Sequence, residues 1–138
     1  MAHWLIKSEP FKWSWDQQVA AGAKGTHWDG VRNHLAKLNM MKMKLGDTVF
    51  FYHSNEGLEI VGIVEVIREA YPDPTANPGE PWVWVDFAAA KPLPRPVSLK
   101  EIKATPALAK MSLITSMRLS VQPVLDEEWA LITKMSGL

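Results

Sequence analysis

Cysteine is absent from all 138 residues. That removes disulfides, thiolate zinc sites, iron–sulfur clusters and thiol nucleophiles together. No apolar run approaches the roughly 20 residues that a membrane-spanning helix needs. Met1-Ala2-His3-Trp4 has neither the basic nor the apolar region of a secretory signal, so the expectation is a soluble, cytoplasmic chain. An excess of charge is missing too: Lys+Arg and Asp+Glu stand at 15 each, which argues against a protein that coats nucleic acid by charge alone. Catalytic signatures are equally scarce. There is no G-x-S-x-G elbow, P-loop, G-x-G-x-x-G or H-E-x-x-H. His3, His27, His34 and His53 lack paired ligand spacing, so neither metal nor cofactor is expected.

What is present is tryptophan. Trp4, Trp13, Trp15, Trp28, Trp82, Trp84 and Trp129 make seven indoles in a short chain. A buried indole gains from its large area and needs one hydrogen-bond partner, so most belong in the core; Trp4, Trp15 and Trp129 are assigned there. The charge is also uneven. Residues 1–55 hold seven Lys/Arg against four Asp/Glu and all four histidines, and the remainder holds eight against eleven. A basic face on a neutral molecule is one reading, scatter over a solvated surface the other.

Along the chain, Trp4 to Lys7 reads as a strand stopped by Ser8-Glu9-Pro10. Ser14 and Gln17 have capping-box spacing for a helix from Trp15 to about Gly22. A second helical stretch follows Asn33 and ends near Lys44. Thr48–His53 and Ile60–Ala70 are strands, the second with an interior Gly62 that marks a bulge or a close approach to the backbone. Residues 71–81 carry four prolines and read as a loop, Trp82–Phe87 as a strand, and Pro92–Pro96 as a further break. Ser98 and Glu101 repeat the capping box, Thr105-Pro106 can open another helix, Leu119–Val124 closes the strands, and Asp126 caps a last helix. Strands outweigh helices without βαβ alternation. The expected fold class is α+β, a small, partly open barrel with short peripheral helices over one domain, residues 1–138.

Six polar-aromatic blocks lie near strand ends: Trp4-Leu5-Ile6-Lys7-Ser8-Glu9-Pro10, Trp28-Asp29-Gly30-Val31-Arg32-Asn33, Phe50-Phe51-Tyr52-His53-Ser54-Asn55, Ile60 to Val66, Arg68 to Asp73, and Arg118 to Val124. In this order they closely resemble the EVE domain family, from Trp4 to about Ile132. The resemblance implies a PUA-like barrel related to the YTH and ASCH domains, and a reader of modified bases, with modified cytosine in DNA the leading candidate. It also implies a pocket built from the segments at Lys7-Ser8, Trp28 to Asn33 and Ser54-Asn55, with an aromatic near Trp82. The chain departs from longer members at residues 74–81, where it lacks a Tyr-Tyr-Asp-Pro-like insertion.

Within that frame Trp28 and Trp82 are the expected stacking walls. Ser8, Asn33, Ser54 and Asn55 are the candidates for reading a base edge. Lys7, Arg32 and Arg118 are the candidates for phosphate contacts, which position a strand without reading it. Four of them have a plainer reading: Trp28 as a core anchor, Trp84 in place of Trp82, Asn33 as a cap or turn residue, Asn55 with Gly57 as a hairpin turn. The expected partner is nucleic acid carrying a modified base, DNA before RNA, and the expected state is a monomer with nucleoid or nuclear association open. Two alternatives stay in play. One is an RNA-binding module of the same fold; the other is a small hydrolase or nucleotide-processing enzyme using the same pocket, with Asp29 and Glu9 as its carboxylates.

Overall fold

A computed structural model describes residues 2–138. Six strands, β1 (His3–Ser8), β2 (Thr26–Trp28), β3 (Thr48–His53), β4 (Glu59–Pro72), β5 (Val83–Ser98) and β6 (Val121–Val124), form one mixed sheet in the order β2-β5-β4-β3-β1-β6. Only β1 and β3 run parallel; the other neighbours are antiparallel. The sheet curls without closing, so β2 and β6 remain edges, and the fold is an α+β, partly open PUA-like barrel. Five short helices lie around it: α1 (Trp15–Ala20), α2 (His34–Lys42), α3 (Leu99–Lys103), α4 (Ser112–Thr115) and α5 (Asp126–Ser136). Among the described residues no helix is long and apolar enough to cross a membrane.

The period of two along each strand sends alternate side chains to opposite faces, and both faces are covered. Trp4 and Ile6 of β1 join Val49 and Phe51 of β3 in an inner cluster closed by α2 through Ala36 and Met40. Leu5, Phe50 and Tyr52 point the other way, onto Ile102 of α3 and Ile132 of α5. Trp4 and Trp15 are core, as expected, and Trp129 packs against the outer cluster with its ring stacked on Phe50 at 3.9 Å.

Local signals set the helix starts. Ser14 and Ser98 each complete a capping box with Gln17 and Glu101, satisfying backbone donors that a helix N-terminus leaves free. At α5 the N-cap residue is Leu125, with Asp126 one place inside, where its charge still suits the helix dipole. Thr105-Pro106 opens only a 3-10 turn, Pro106–Leu108.

Two larger departures from the sequence reading come from tertiary structure. The first is β5, which runs 16 residues straight through Pro92, Pro94 and Pro96 where a break was expected. Ile60 and Gly62 of β4 pair with Val97 and Pro92, so a step of two residues faces a step of five. Residues 93–96 therefore bulge off the ladder, and β2 pairs only with residues 85–87 on the other side. Proline costs no ladder bond there. The second is β4, which extends to Pro72 and shortens the proline-rich loop. Gly62, by contrast, is the close approach that the sequence suggested: a Cβ built on it would lie 2.4 Å from the Trp15 ring.

Candidate functional site

Because β1 and β3 are parallel, their C-terminal ends open at the same rim of the barrel, with Ser8 opposite His53. The Ser54 backbone N–H donates to the Ser8 carbonyl at 2.9 Å and ties the two exits together. Beyond β1 the chain makes a tight turn in which Lys12 and Trp13 N–H both donate to the Glu9 carbonyl at 2.9 Å. The Ser8 hydroxyl closes this turn by donating to the Trp13 carbonyl. Across the gap, β2 ends at Trp28 and turns at Asp29-Gly30, where Gly30 has φ +72, a conformation costly for any side chain. The strand ends and turns enclose a cleft of about 640 Å³, within the size range of small-ligand pockets.

Two indoles line it. Trp28 is 8% exposed and set edge-on to Phe51 and Phe87, at 5.8 Å from each. It is a core residue, as its plainer reading had it, and its remaining surface lines the cleft. Trp13 is only partly buried, lines the same cleft, and is held by a 2.8 Å hydrogen bond from its Nε1 to Gln18 Oε1. Sequence reasoning passed over Trp13. Its signal was its place on the turn that Ser8 anchors, between the Pro10 corner and the Ser14 cap.

Of the candidates, Lys7, Ser8, Trp28, Arg32 and Ser54 come together around this cleft. The other four lie outside its lining. Asn33 caps α2, accepting from the Ala36 N–H at 2.9 Å. Asn55 is exposed in the β3–β4 turn at φ 67, as a hairpin residue would be. Arg118 is exposed on a neighbouring groove beside Leu35. Trp82 stands behind Arg32, whose guanidinium lies 5.4 Å from its ring centre, and beside His34 at 5.0 Å. Its contact with the cleft is through Arg32. Trp84 is likewise a backing ring, stacked on the cleft residue His27 at 3.9 Å.

The polar groups of the cleft are already partly engaged. Arg32 Nη1 meets the buried Asp73 carboxylate at 3.2 Å and the Val31 carbonyl at 3.1 Å. Burial alone would raise the Asp73 pKa, but the hydroxyl and N–H of Thr75 and the Arg32 guanidinium outweigh it and hold the carboxyl below its usual range. Lys7 Nζ donates to the Met117 carbonyl and burial pushes its pKa down. Glu9 pairs with Lys12 at 3.7 Å and Asp29 with His27 at 3.4 Å, both pairs at the solvent edge. Among the described residues no cluster of His, Asp and Glu could hold a metal ion.

An unclosed mixed sheet ringed by short helices is the PUA-like fold, and here an indole-lined, cation-rimmed cleft opens at its strand ends. A family model described as the EVE domain matches residues 2–135, and the chain belongs to that family. Thymocyte nuclear protein 1 of Homo sapiens is 34% identical over 165 residues, covering 97% of this chain and 73% of that protein. The crystal structure of protein Atu2648 from Agrobacterium tumefaciens is 57% identical with a TM-score of 0.97, covering 100% of this chain and 94% of that one. The human THYN1 protein in complex with 5-methylcytosine-containing DNA superposes with a TM-score of 0.91 at 32% identity, covering 100% and 99%. At 15% identity and a TM-score of 0.59, the YTH domain of Zygosaccharomyces rouxii MRB1, covered to 86% by 98% of this chain, shares the fold alone.

Proposed function

We propose that this EVE domain is a non-catalytic module that holds a modified nucleobase, in the first place a modified cytosine of DNA, in the cleft between Trp13 and Trp28. The observation that carries the reading is the pairing of two cleft-lining indoles with a rim of Lys7, Lys12 and Arg32, in a fold that superposes on a relative bound to 5-methylcytosine-containing DNA. That relative also favours DNA over RNA. The 138 residues act as one domain, and the setting is an intracellular one with access to nucleic acid.

The energetics constrain how the cleft works. Taking a base out of a duplex costs a few kcal/mol, and each aromatic face returns about 1–3 kcal/mol by stacking. Trp28 has little free surface, so Trp13 supplies most of the stack. Stacking alone then roughly balances extrusion, and net binding comes from hydrogen bonds to the base edge and from the cations. Ser54 and the exposed amides of the Asp29-Gly30 turn are the edge readers placed for this. The Ser8 hydroxyl is spent on Trp13, which makes Ser8 a residue that positions the wall.

The test is a titration against free modified nucleosides and short oligonucleotides. Methylated cytosine in DNA should bind tighter than its unmodified counterpart, and every probe should be recovered unchanged. Equal binding to both would remove the modified-base reading. Product that accumulates with protein, and is lost in Asp29→Asn or Glu9→Gln, would make the domain an enzyme.

A further inference from the structure

Of the aromatic side chains only Phe11 is exposed, at 64%; every other Phe, Tyr and Trp is buried or half-buried. A single exposed apolar residue is ordinary on a protein surface. Phe11 differs in where it stands and how it is held. It sits on the turn between Glu9 and Lys12, which both line the cleft, and Lys12 beside it is an exposed cation. The turn is rigid: Pro10 restricts one corner, the Glu9 carbonyl takes two N–H donors, and Ser8 and Gln18 pin Trp13 at its far end. A ring kept in water on a pre-formed turn at the mouth of a binding cleft has lost its folding rationale. It has gained a fixed position next to whatever enters.

Resting on the reading that the cleft holds an extruded base, we infer that Phe11 is a wedge that enters the base stack and fills the gap the extruded base leaves. Apolar side chains inserted between base steps are a general means of holding a duplex open. The role suits this molecule because the cleft's own stacking only balances the cost of extrusion, so contacts to the flanking bases decide whether the open state persists. Lys12, one residue on, is placed to meet the phosphate of the strand that Phe11 enters.

The wedge acts on a duplex and has nothing to do for a free nucleoside, which separates it from the cleft. Parent, Phe11→Ala, Phe11→Tyr and the control Leu45→Ala, an exposed aliphatic away from the cleft, are titrated with two probes. These are a short duplex containing one 5-methylcytosine, and free 5-methyl-2′-deoxycytidine followed by NMR of the indole N–H signals. Phe11→Ala should weaken duplex binding roughly tenfold with nucleoside binding unchanged. Phe11→Tyr should restore it, and Leu45→Ala should match the parent. Because Phe11 is exposed, its removal should leave the melting temperature within a degree or two, so a folding defect does not confuse the result. Duplex binding unaffected by Phe11→Ala overturns the wedge and leaves the cleft reading intact. Equal loss for duplex and nucleoside would also overturn it, by placing Phe11 inside the pocket. A parent protein that binds neither probe overturns the cleft reading and the wedge with it.

Discussion

Trp28 and Trp13 differ in what each would lose as alanine. Trp28 is packed between Phe51 and Phe87, and its truncation should cost about 3–5 kcal/mol of stability. For a domain of this size that lowers the melting temperature by roughly ten degrees or more. Base binding should fall as well, but the two effects are entangled at that position. Trp13 is half-buried, with one hydrogen bond. Trp13→Ala should cost about 1 kcal/mol of stability and weaken base binding by a factor of roughly 5 to 150. Thermal melts and titrations on both variants check this, and the expected pattern is a large melt shift only for Trp28. The plainer readings of Asn33 and Asn55 were visible in the sequence, one as a helix cap and one as a turn. Both turned out to describe where the structure puts them. For Trp13 the sequence marks only a turn, between Pro10 and Ser14; its link to the cleft runs through the Ser8 hydroxyl and the exit of a parallel strand pair, neither of which has a sequence period.

At the scale of elements, what was legible was local. Both serine capping boxes and β3 to the residue follow from spacing within a few residues, and the glycine inside β4 marks a bulge or a close approach without naming Trp15 as its partner. β5 was not legible, because its prolines are tolerated only by a bulge against β4 and an uncovered edge, both non-local. Gly62→Ala tests one close contact between elements. The added methyl collides with the Trp15 ring and should destabilise the domain by about 1–3 kcal/mol, read as a shift of the denaturation midpoint.

The joint between β3 and α1 carries a pH dependence. His53 Nε2 accepts the Trp15 N–H at 3.1 Å, which requires that nitrogen to be unprotonated. Burial lowers the His53 pKa against the opposing pull of Glu59 and Asp16. The folded state thus binds the proton more weakly than the unfolded chain, whose histidine titrates near 6.5. The stabilisation is complete above about pH 6.5 and is lost as pH falls below it toward the folded value. Stability should decline in that window with an uptake of at most about one proton from this residue. His53→Gln, whose carbonyl can accept the same N–H, should flatten the decline measured by denaturation at several pH values. An unchanged slope would assign the acid sensitivity elsewhere, with His3, also lowered by burial, the next candidate.

For the whole molecule, balanced charge and internally engaged cations predict modest electrostatics. Lys7 and Arg32 already hold Met117 and Asp73, which fixes their positions and limits what they give to phosphates. The logarithm of affinity for a short duplex should fall with the logarithm of salt at a slope of only about two to three contacts. Free-nucleoside binding should hardly respond. A slope nearer the six to ten contacts of dedicated DNA binders would mean that a broader surface than the cleft rim meets the strand. The most direct measurement is the affinity of the parent and of Trp13→Ala for one duplex, with and without a single 5-methylcytosine. A buried methyl is worth only about 0.8 kcal/mol, roughly fourfold, so the parent should prefer the methylated duplex by about that factor. Trp13→Ala should lose most of its affinity for both duplexes while melting close to the parent. Equal parent affinity for the two duplexes, or undiminished binding by Trp13→Ala, would contradict the assignment of this cleft as the site of a modified base.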